Sequence, residues 1–443
     1  MKRYEKYRTA NIEGIKEVPH HWKLIKLKYI GNLYSGLTGK SGSDFYNEDS
    51  PLSRPYINFK NIANNIKIDP TLFDLVEIKP NEEQNKVKKG DLFFLMSSEN
   101  FTDIGKTAVL IDNLEDTYLN SFCRGFRIFD ENFSPEFLNY LLLSGHYREI
   151  LSNEAKGFTR INIQVGKINN FPIFAPFDKH EQIQIANFLD YKINLINSSI
   201  LKKKRLIELL KEKRQAIINE AVTKGLNINV PMKSSGIEWM GEIPNHWEVK
   251  KLKYVVSCND DALNDKHDKD SIINYIEIGD VSLENGVENF TKMRFSQAPS
   301  RARRIIKEND IILSTVRTYL KAITKVNVDY NNFIVSTGFA VLRAQKIKSD
   351  FLGVVVKSES FIDEIISLSV GVSYPAINSS VLLNISIPVP PESEQLAISR
   401  KIDKEFNSFQ KTILKIESAI DKLQIYRQSL ISEVVTGKID VRK

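Results

Sequence analysis

Cysteine is almost absent from this chain, and so is every arrangement that would make it chemically active. Two cysteines, Cys123 and Cys258, stand in 443 residues with no Cys-x-x-Cys and no His-Glu-x-x-His spacing. That excludes a disulfide framework and gives no metal-site signature; both read as ordinary thiols, buried or partly so. Long apolar runs are missing too. Nothing approaches the 18 or so residues of a membrane span, and the opening MKRYEKYRTANIEG is too charged for the apolar core of a signal peptide. The expected location is the cytoplasm.

Catalytic motifs are equally scarce. Gly39-Lys40-Ser41 and Gly105-Lys106-Thr107 end like a phosphate-binding loop, but the earlier glycine positions hold Tyr34 and Asn100. Neither can wrap a phosphate. The one Pro-Pro pair, Pro390-Pro391, follows Val389 rather than the Asp or Asn of an amino-methyltransferase motif, and Glu77-Ile-Lys79 is at most a fragment of a nuclease site. No nucleophile, base and orienting group are grouped in sequence.

What is present is enough material for more than one domain: 42% hydrophobic and 26% charged residues, with Lys and Arg exceeding Asp and Glu by 62 to 55. The net charge of +7 permits polyanion binding without requiring it.

The decisive feature is an internal duplication. Val18-Pro-His-His-Trp-Lys-Leu-Ile-Lys-Leu-Lys-Tyr-Ile30 aligns with Ile243-Pro-Asn-His-Trp-Glu-Val-Lys-Lys-Leu-Lys-Tyr-Val255, with seven identities in thirteen positions at an offset of 225. At an offset of 219, Tyr56-Ile57 matches Tyr275-Ile276, and Lys-Gly90-Asp91-Leu matches Glu-Asn309-Asp310-Ile. Gly125-Phe126 then matches Gly338-Phe339, Phe137-Leu138 matches Phe351-Leu352, and Gly157 matches Gly371. The last segment returns at 213: Glu181-Gln182 with Glu394-Gln395, and Arg214-Gln215 through Thr223 with Arg427-Gln428 through Thr436. A period this long means two copies of one mixed unit.

Each copy ends in a heptad pattern. Ala186, Leu189, Ile193, Ile196, Ile200, Lys203, Ile207, Leu210, Arg214, Ile217 and Ala221 step by alternating threes and fours, and nine of the eleven are apolar. The positions 213 further on are Ser399, Ile402, Phe406, Phe409, Ile413, Ile416, Ile420, Leu423, Arg427, Leu430 and Val434, again nine apolar of eleven. Such a seam, flanked by Lys202-Lys-Lys-Arg205, predicts a coiled coil. Residues 186 to 221 as one helix would span about 54 Å at about 1.5 Å per residue, the length of a spacer. If the second domain is compact, the two helices pair antiparallel. Arg214 and Arg427 interrupt the seam at the same step; they pair with acidic groups across it, the preferred reading, or contact a partner.

Outside the helices, short apolar runs such as Asp91–Met96, Gly125–Phe129, Asp310–Leu313 and Gly338–Leu342 alternate with Asn, Asp and Gly and read as strands. One helix per copy interrupts them, opening at Ser134-Pro135 in the first. The predicted fold is α+β: two mixed domains at 1–179 and 243–392, helical spacers at 180–223 and 393–436, a flexible linker at 224–242 and a tail at 437–443.

Pro-x-His-Trp followed by Lys-Leu, the Gly-Asp and Gly-Phe strands, Pro390-Pro391-x-x-Glu394-Gln395 entering a long helix, and Glu433-Val-Val-Thr-Gly-Lys-Ile-Asp440 resemble the specificity subunits of type I restriction enzymes. The resemblance covers nearly the whole chain. Copy one departs in detail, with Pro176-Phe177 for the double proline and Thr223-Lys-Gly-Leu for Thr436-Gly-Lys-Ile. It implies a non-catalytic subunit that binds double-stranded DNA and docks two methyltransferase (modification) subunits and, in the restricting complex, translocase-nuclease subunits. S-adenosylmethionine and ATP would belong to those partners, with no cofactor or metal in this chain. Each target-recognition domain would read one half of a bipartite site; half-sites on one face of the duplex lie on the order of one helical turn apart. Because 31–55 has no counterpart in 256–274, the site should be asymmetric. The rival readings are the recognition half of a fused restriction-methylation enzyme and a non-catalytic architectural DNA-binding protein.

Phosphate contact and base reading call for cationic and short polar side chains. The candidates in copy one are Ser97, Ser98, Asn100 and Lys106 after its strand, and Lys156, Thr159, Arg160 and Asn162 around Gly157. In copy two they are Arg301, Arg303 and Arg304; Ser314, Arg317, Thr318, Tyr319 and Lys321; and Ser373, Tyr374 and Asn378 around Gly371.

Overall fold

The structure, a computed structural model, describes every residue except 1, 13, 46–49, 265, 328–331 and 443. The last of these lies in the 437–443 tail. The chain divides into two units, Met1–Lys203 with Ser418–Lys443, and Lys204–Glu417. Each is built on the same plan.

In the first unit, Leu92-Phe93-Phe94-Leu95 is a strand with all four residues buried, as expected where both faces of a sheet are covered. It lies inside an antiparallel sheet of order Gly31–Ser35, Cys123–Ile128, Leu92–Leu95, Thr107–Val109. A second sheet pairs Tyr118–Leu119 in parallel with Ser53–Ile57, which is antiparallel to Asp74–Glu77. Ile57, Ile62, Phe93, Leu95, Leu119 and Cys123 fill a core between these elements. Cys123 is buried, and burial pushes its thiol far up, which disfavours the reactive thiolate.

The second unit repeats the arrangement: Val256–Cys258, Phe339–Ala344, Ile311–Ser314, Ile323–Lys325 in one antiparallel sheet, and Ile272–Ile276 parallel to Phe333–Ser336 in another. The Gly-Asp motif now has a structural cause. Gly90 and Asn309 take left-handed φ of 88° and 70°, a conformation that glycine adopts freely and asparagine tolerates. The turn aims Asp91 and Asp310 inward, where each accepts the Lys88 or Lys307 backbone N–H at 2.8 Å. Each carboxylate is then gripped by an arginine on the neighbouring strand. Arg127 Nε and Nη2 reach Asp91 at 2.9 and 2.7 Å, and Arg343 Nε and Nη2 reach Asp310 at 2.8 Å each. Since Asp310 is buried, Arg343→Ala strands a charge, and breaking such a pair costs about 3–5 kcal/mol. Chemical denaturation should show that loss; a change below about 1 kcal/mol would refute a structural role for the pair.

The expectation of one helix per copy is corrected. Two consecutive helices follow the sheet in each unit, Pro135–Leu143 and Gly145–Asn153, then Ser349–Val356 and Glu359–Ser367. Ser134 caps the first by accepting the Phe137 N–H at 3.3 Å. Ser144 breaks the chain before the next helix; its hydroxyl bonds back to Leu141 O.

A strand pair, Lys23–Lys26 with Pro172–Ala175 and its counterpart Glu248–Lys251 with Ser386–Val389, leads each unit into a long helix. These helices run Lys179–Lys224 and Glu392–Val435. Within the first unit, Leu189, Ile193, Ile196 and Ile200 are buried, as are Ile420 and Leu430, with Leu423 half-buried. Within the second, Ile207, Ile402, Ile413 and Ile416 are buried and Leu210, Phe406 and Phe409 half-buried. Arg214 meets Phe406 while Ile218 and Val222 share a core with Ile398 and Ile402, so the segments of this unit pack antiparallel. Both helices stop at a left-handed glycine, Gly225 and Gly437, each with φ of 75°. A Cβ on Gly437 would meet Pro19 Cδ at 2.3 Å.

The linker is also corrected. Its polar composition suggested a loose tether, but Met232–Ser234 pairs with Glu242–Pro244, Met240 is buried, and Trp239 packs edge-on against Phe361. It folds onto the second unit.

Candidate nucleic-acid interface

The central strand of the first unit runs on into Ser97–Ser98, which pairs with Ile161–Asn162. That pairing projects a tight hairpin closed by reciprocal bonds, Lys156 N–H to Asn162 O at 3.0 Å and Asn162 N–H to Lys156 O at 2.9 Å. Gly157 makes the turn possible: its φ is 146°, and a Cβ there would lie 2.0 Å from Arg160 O. Phe158 at the tip is fully exposed, flanked by exposed Lys156, Thr159 and Arg160. The Arg160 guanidinium stacks 4.5 Å from the Phe122 ring centroid and lies 3.8 Å from Glu99. Ser97, Phe122, Arg124, Arg160 and Asn162 line a shallow cleft beside it.

The second unit builds the same hairpin with other side chains. Val370 and Ala376 exchange backbone bonds at 2.9 and 3.0 Å, Gly371 has φ of 119°, and Val372 is the fully exposed tip. Ser373, Tyr374 and Asn378 are exposed. Val316 bridges to Ala376, and the Arg317 N–H reaches Pro375 O at 2.7 Å. Arg317 and Lys321, both at φ of 52°, flank the turn Thr318–Leu320 in a conformation that costs about 1–3 kcal/mol per non-glycine residue. This strained turn presents Tyr319 to solvent and lays the Arg317 guanidinium 4.5 Å from the Tyr374 centroid. Lys321 Nζ lies 3.9 Å from Glu359.

Not every sequence candidate joins these edges. Lys106 is tied to Asp103 Oδ1 at 2.7 Å and to Ala63 O at 3.0 Å, and lines a different cavity. Ser98 is buried and accepts the Asn100 N–H, leaving Asn100 itself exposed. Thr318 is buried against Ser369, and Ser314 is buried with its hydroxyl unpartnered among the described residues. Arg301 binds Tyr275 Oη at 3.0 Å and Glu277 at 2.7 Å. Arg303 lies over Phe295, and half-buried Arg304 donates to Asn259 and Phe339 O, burial lowering its pKa. These three arginines fasten the sheet that holds Tyr275. Phe122, Phe158 and Val372 are apolar and so do not stand out among cationic and polar candidates; for Phe158 the available signal is an aromatic beside a turn glycine and basic residues.

The seam arginines do not pair with acids across the helices. Arg427 Nη1 bonds the Asn197 amide at 2.7 Å. Arg214 stacks on Phe406 at 5.0 Å and lies 3.7 Å from Glu284, which belongs to a turn of the domain. A guanidinium is satisfied by an amide oxygen or a ring face as well as by a carboxylate. Among the described residues no cluster of three His, Cys, Asp or Glu side chains could hold a metal, and no helix is long and apolar enough to cross a membrane.

Comparison with known proteins follows the duplication. The chain is 25% identical over 458 residues to the specificity subunit of type I restriction enzyme MjaVIII from Methanocaldococcus jannaschii, covering 100% of this chain and 98% of that protein. It is 25% identical to the StySPI specificity subunit of Salmonella potsdam, covering 96% and 90%. Among solved structures, a chain from work on the assembly and conformational transition of the type I R-M system superposes with a TM-score of 0.72 at 15% identity, covering 95% of this chain and 99% of that one. The HsdS subunit from Thermoanaerobacter tengcongensis gives 0.53 at 15% identity, covering 97% and 100%. The sequence signature described as type I restriction modification DNA specificity domain matches twice, at residues 19–231 and 244–424, and the chain therefore belongs to that family.

Proposed function

We propose that this chain is the non-catalytic DNA-reading subunit of a type I restriction-modification complex, each unit reading one half of an asymmetric bipartite site in double-stranded DNA. The observation that carries this reading is one frame bearing two chemistries. Closed hairpins at matched positions present Phe158, Thr159 and Arg160 in one unit but Val372, Ser373 and Tyr374 in the other. A constant backbone with exchanged side chains is how one scaffold reads two sequences. The long helices set the gap and dock two methyltransferase subunits, with translocase-nuclease subunits joining in the restricting complex. S-adenosylmethionine and ATP are bound by those partners, and the assembly works in the cytoplasm.

The test is to co-express the chain with modification subunits and map methylated adenines. The expected result is a bipartite asymmetric motif that vanishes when the chain is deleted. Methylation by this chain alone would favour a fused enzyme. Binding without base preference, described by salt dependence alone, would favour an architectural protein.

A further inference from the structure

The two recognition edges share a device that their sequences conceal. In the first unit the hairpin supplies a guanidinium, Arg160, and the turn before Cys123–Ile128 supplies its ring, Phe122. In the second, the equivalent hairpin position supplies the ring, Tyr374, and the turn after Ile311–Ser314 supplies the guanidinium, Arg317. The partners are exchanged between segments, yet each stack measures 4.5 Å.

These two stacks differ from the other arginine–ring contacts. Arg3, Arg8, Arg127, Arg303 and Arg442 also lie over rings, but each donates a hydrogen bond within the protein. Arg214 is buried in the helix seam. Among the described residues, no protein acceptor takes a hydrogen bond from the side chain of Arg160 or Arg317. Arg160's neighbour Glu99 is 78% exposed at 3.8 Å, a solvent-screened contact that leaves the donors available. A ring holds the guanidinium plane flat while occupying only its face, so the hydrogen-bonding edge is pre-aimed. Guanine offers the matching pair of acceptors, O6 and N7, in the major groove.

From this geometry we infer that Arg160 and Arg317 are the guanine-reading residues of the first and second half-site, each aimed by its ring. The inference rests on the DNA-reading function proposed above. It predicts a guanine in each half of the motif. In the co-expressed complex, Arg160→Ala should relax one guanine position of one half-site, with discrimination there falling about 5- to 160-fold, and leave the other half intact. Arg317→Ala should do the same in the opposite half. Phe122→Leu, which keeps the cation but removes its platform, should relax the same position as Arg160→Ala; Arg160→Lys should not restore it.

Unchanged motifs in the variants, a half-site without guanine, or a uniform weakening on all sequences with a salt slope reduced by about one would overturn the assignment, the last marking a phosphate contact. Those results would leave the proposed function standing, because the wild-type motif would still be bipartite. Absence of any motif in the wild type would overturn both.

Discussion

Glu181→Ala should destabilise the first unit by about 3–5 kcal/mol, read as a shifted urea midpoint with little change in slope. Its carboxylate is 4% exposed and gathers the Tyr4 hydroxyl at 2.9 Å, the Trp22 indole N–H at 3.0 Å and His21 Nε2 at 2.8 Å, with Arg442 3.8 Å away. Burial first, and the neighbouring Glu181 charge second, push the Tyr4 phenol far above its ordinary range, so it stays a donor at any working pH. Alanine would leave the buried indole and phenol unpaired, at about 1–3 kcal/mol each, in addition to the lost charge-assisted bonds. The duplication supplies an internal control. Among the described residues Glu394 accepts only from His246 Nε2 at 2.6 Å and the Trp247 indole at 2.9 Å, and it is 38% exposed, so water can replace it. Glu394→Ala should cost about 1–2 kcal/mol. Equal losses would show that burial of the acceptor does not set the difference.

That contrast also marks where sequence reading stops. Pro-x-His-Trp and Glu-Gln were legible as repeated motifs, but 159 residues separate Trp22 from Glu181, and no local pattern reveals a hydrogen bond across that distance. Periodicity exposed the helices because a buried stripe must recur every three or four residues. The central strands were visible because burial on both faces demands uninterrupted apolar side chains. The linker differs for the converse reason: a two-stranded hairpin needs few apolar residues, and Ile237, Trp239 and Met240 pack it against the core of the second unit. At the candidate interface, residue type placed Arg160, Thr159, Ser373 and Tyr374 on exposed edges, but could not tell Lys106, neutralised by Asp103, from a free cation. The same ambiguity covered Lys40, whose P-loop-like position ends in an ion pair with Glu82.

Exchanging residues 1–179 for the corresponding domain of another family member should replace one half-site of the methylation motif and leave the other unaltered. The unit boundaries explain what such a graft must satisfy, because the first unit also contains residues 180–203 and 418–443. Asp190 on the retained helix accepts Lys67 Nζ at 2.7 Å and the Tyr140 hydroxyl at 2.6 Å, both from the exchanged part. Ser432 accepts the Gly145 N–H at 2.8 Å, and Gln428 donates to Leu143 O at 3.0 Å. The last two contacts use backbone and survive most replacements; the first two depend on side chains. A graft lacking counterparts of Lys67 and Tyr140 leaves Asp190 partly buried and unpaired, and should lose about 2–3 kcal/mol. Restoring the lysine and tyrosine should recover that stability without moving the motif, since neither residue lies on the hairpin edge. A change in both half-sites would instead mean that one unit reads across the whole site, and would refute the assignment of one half to each unit.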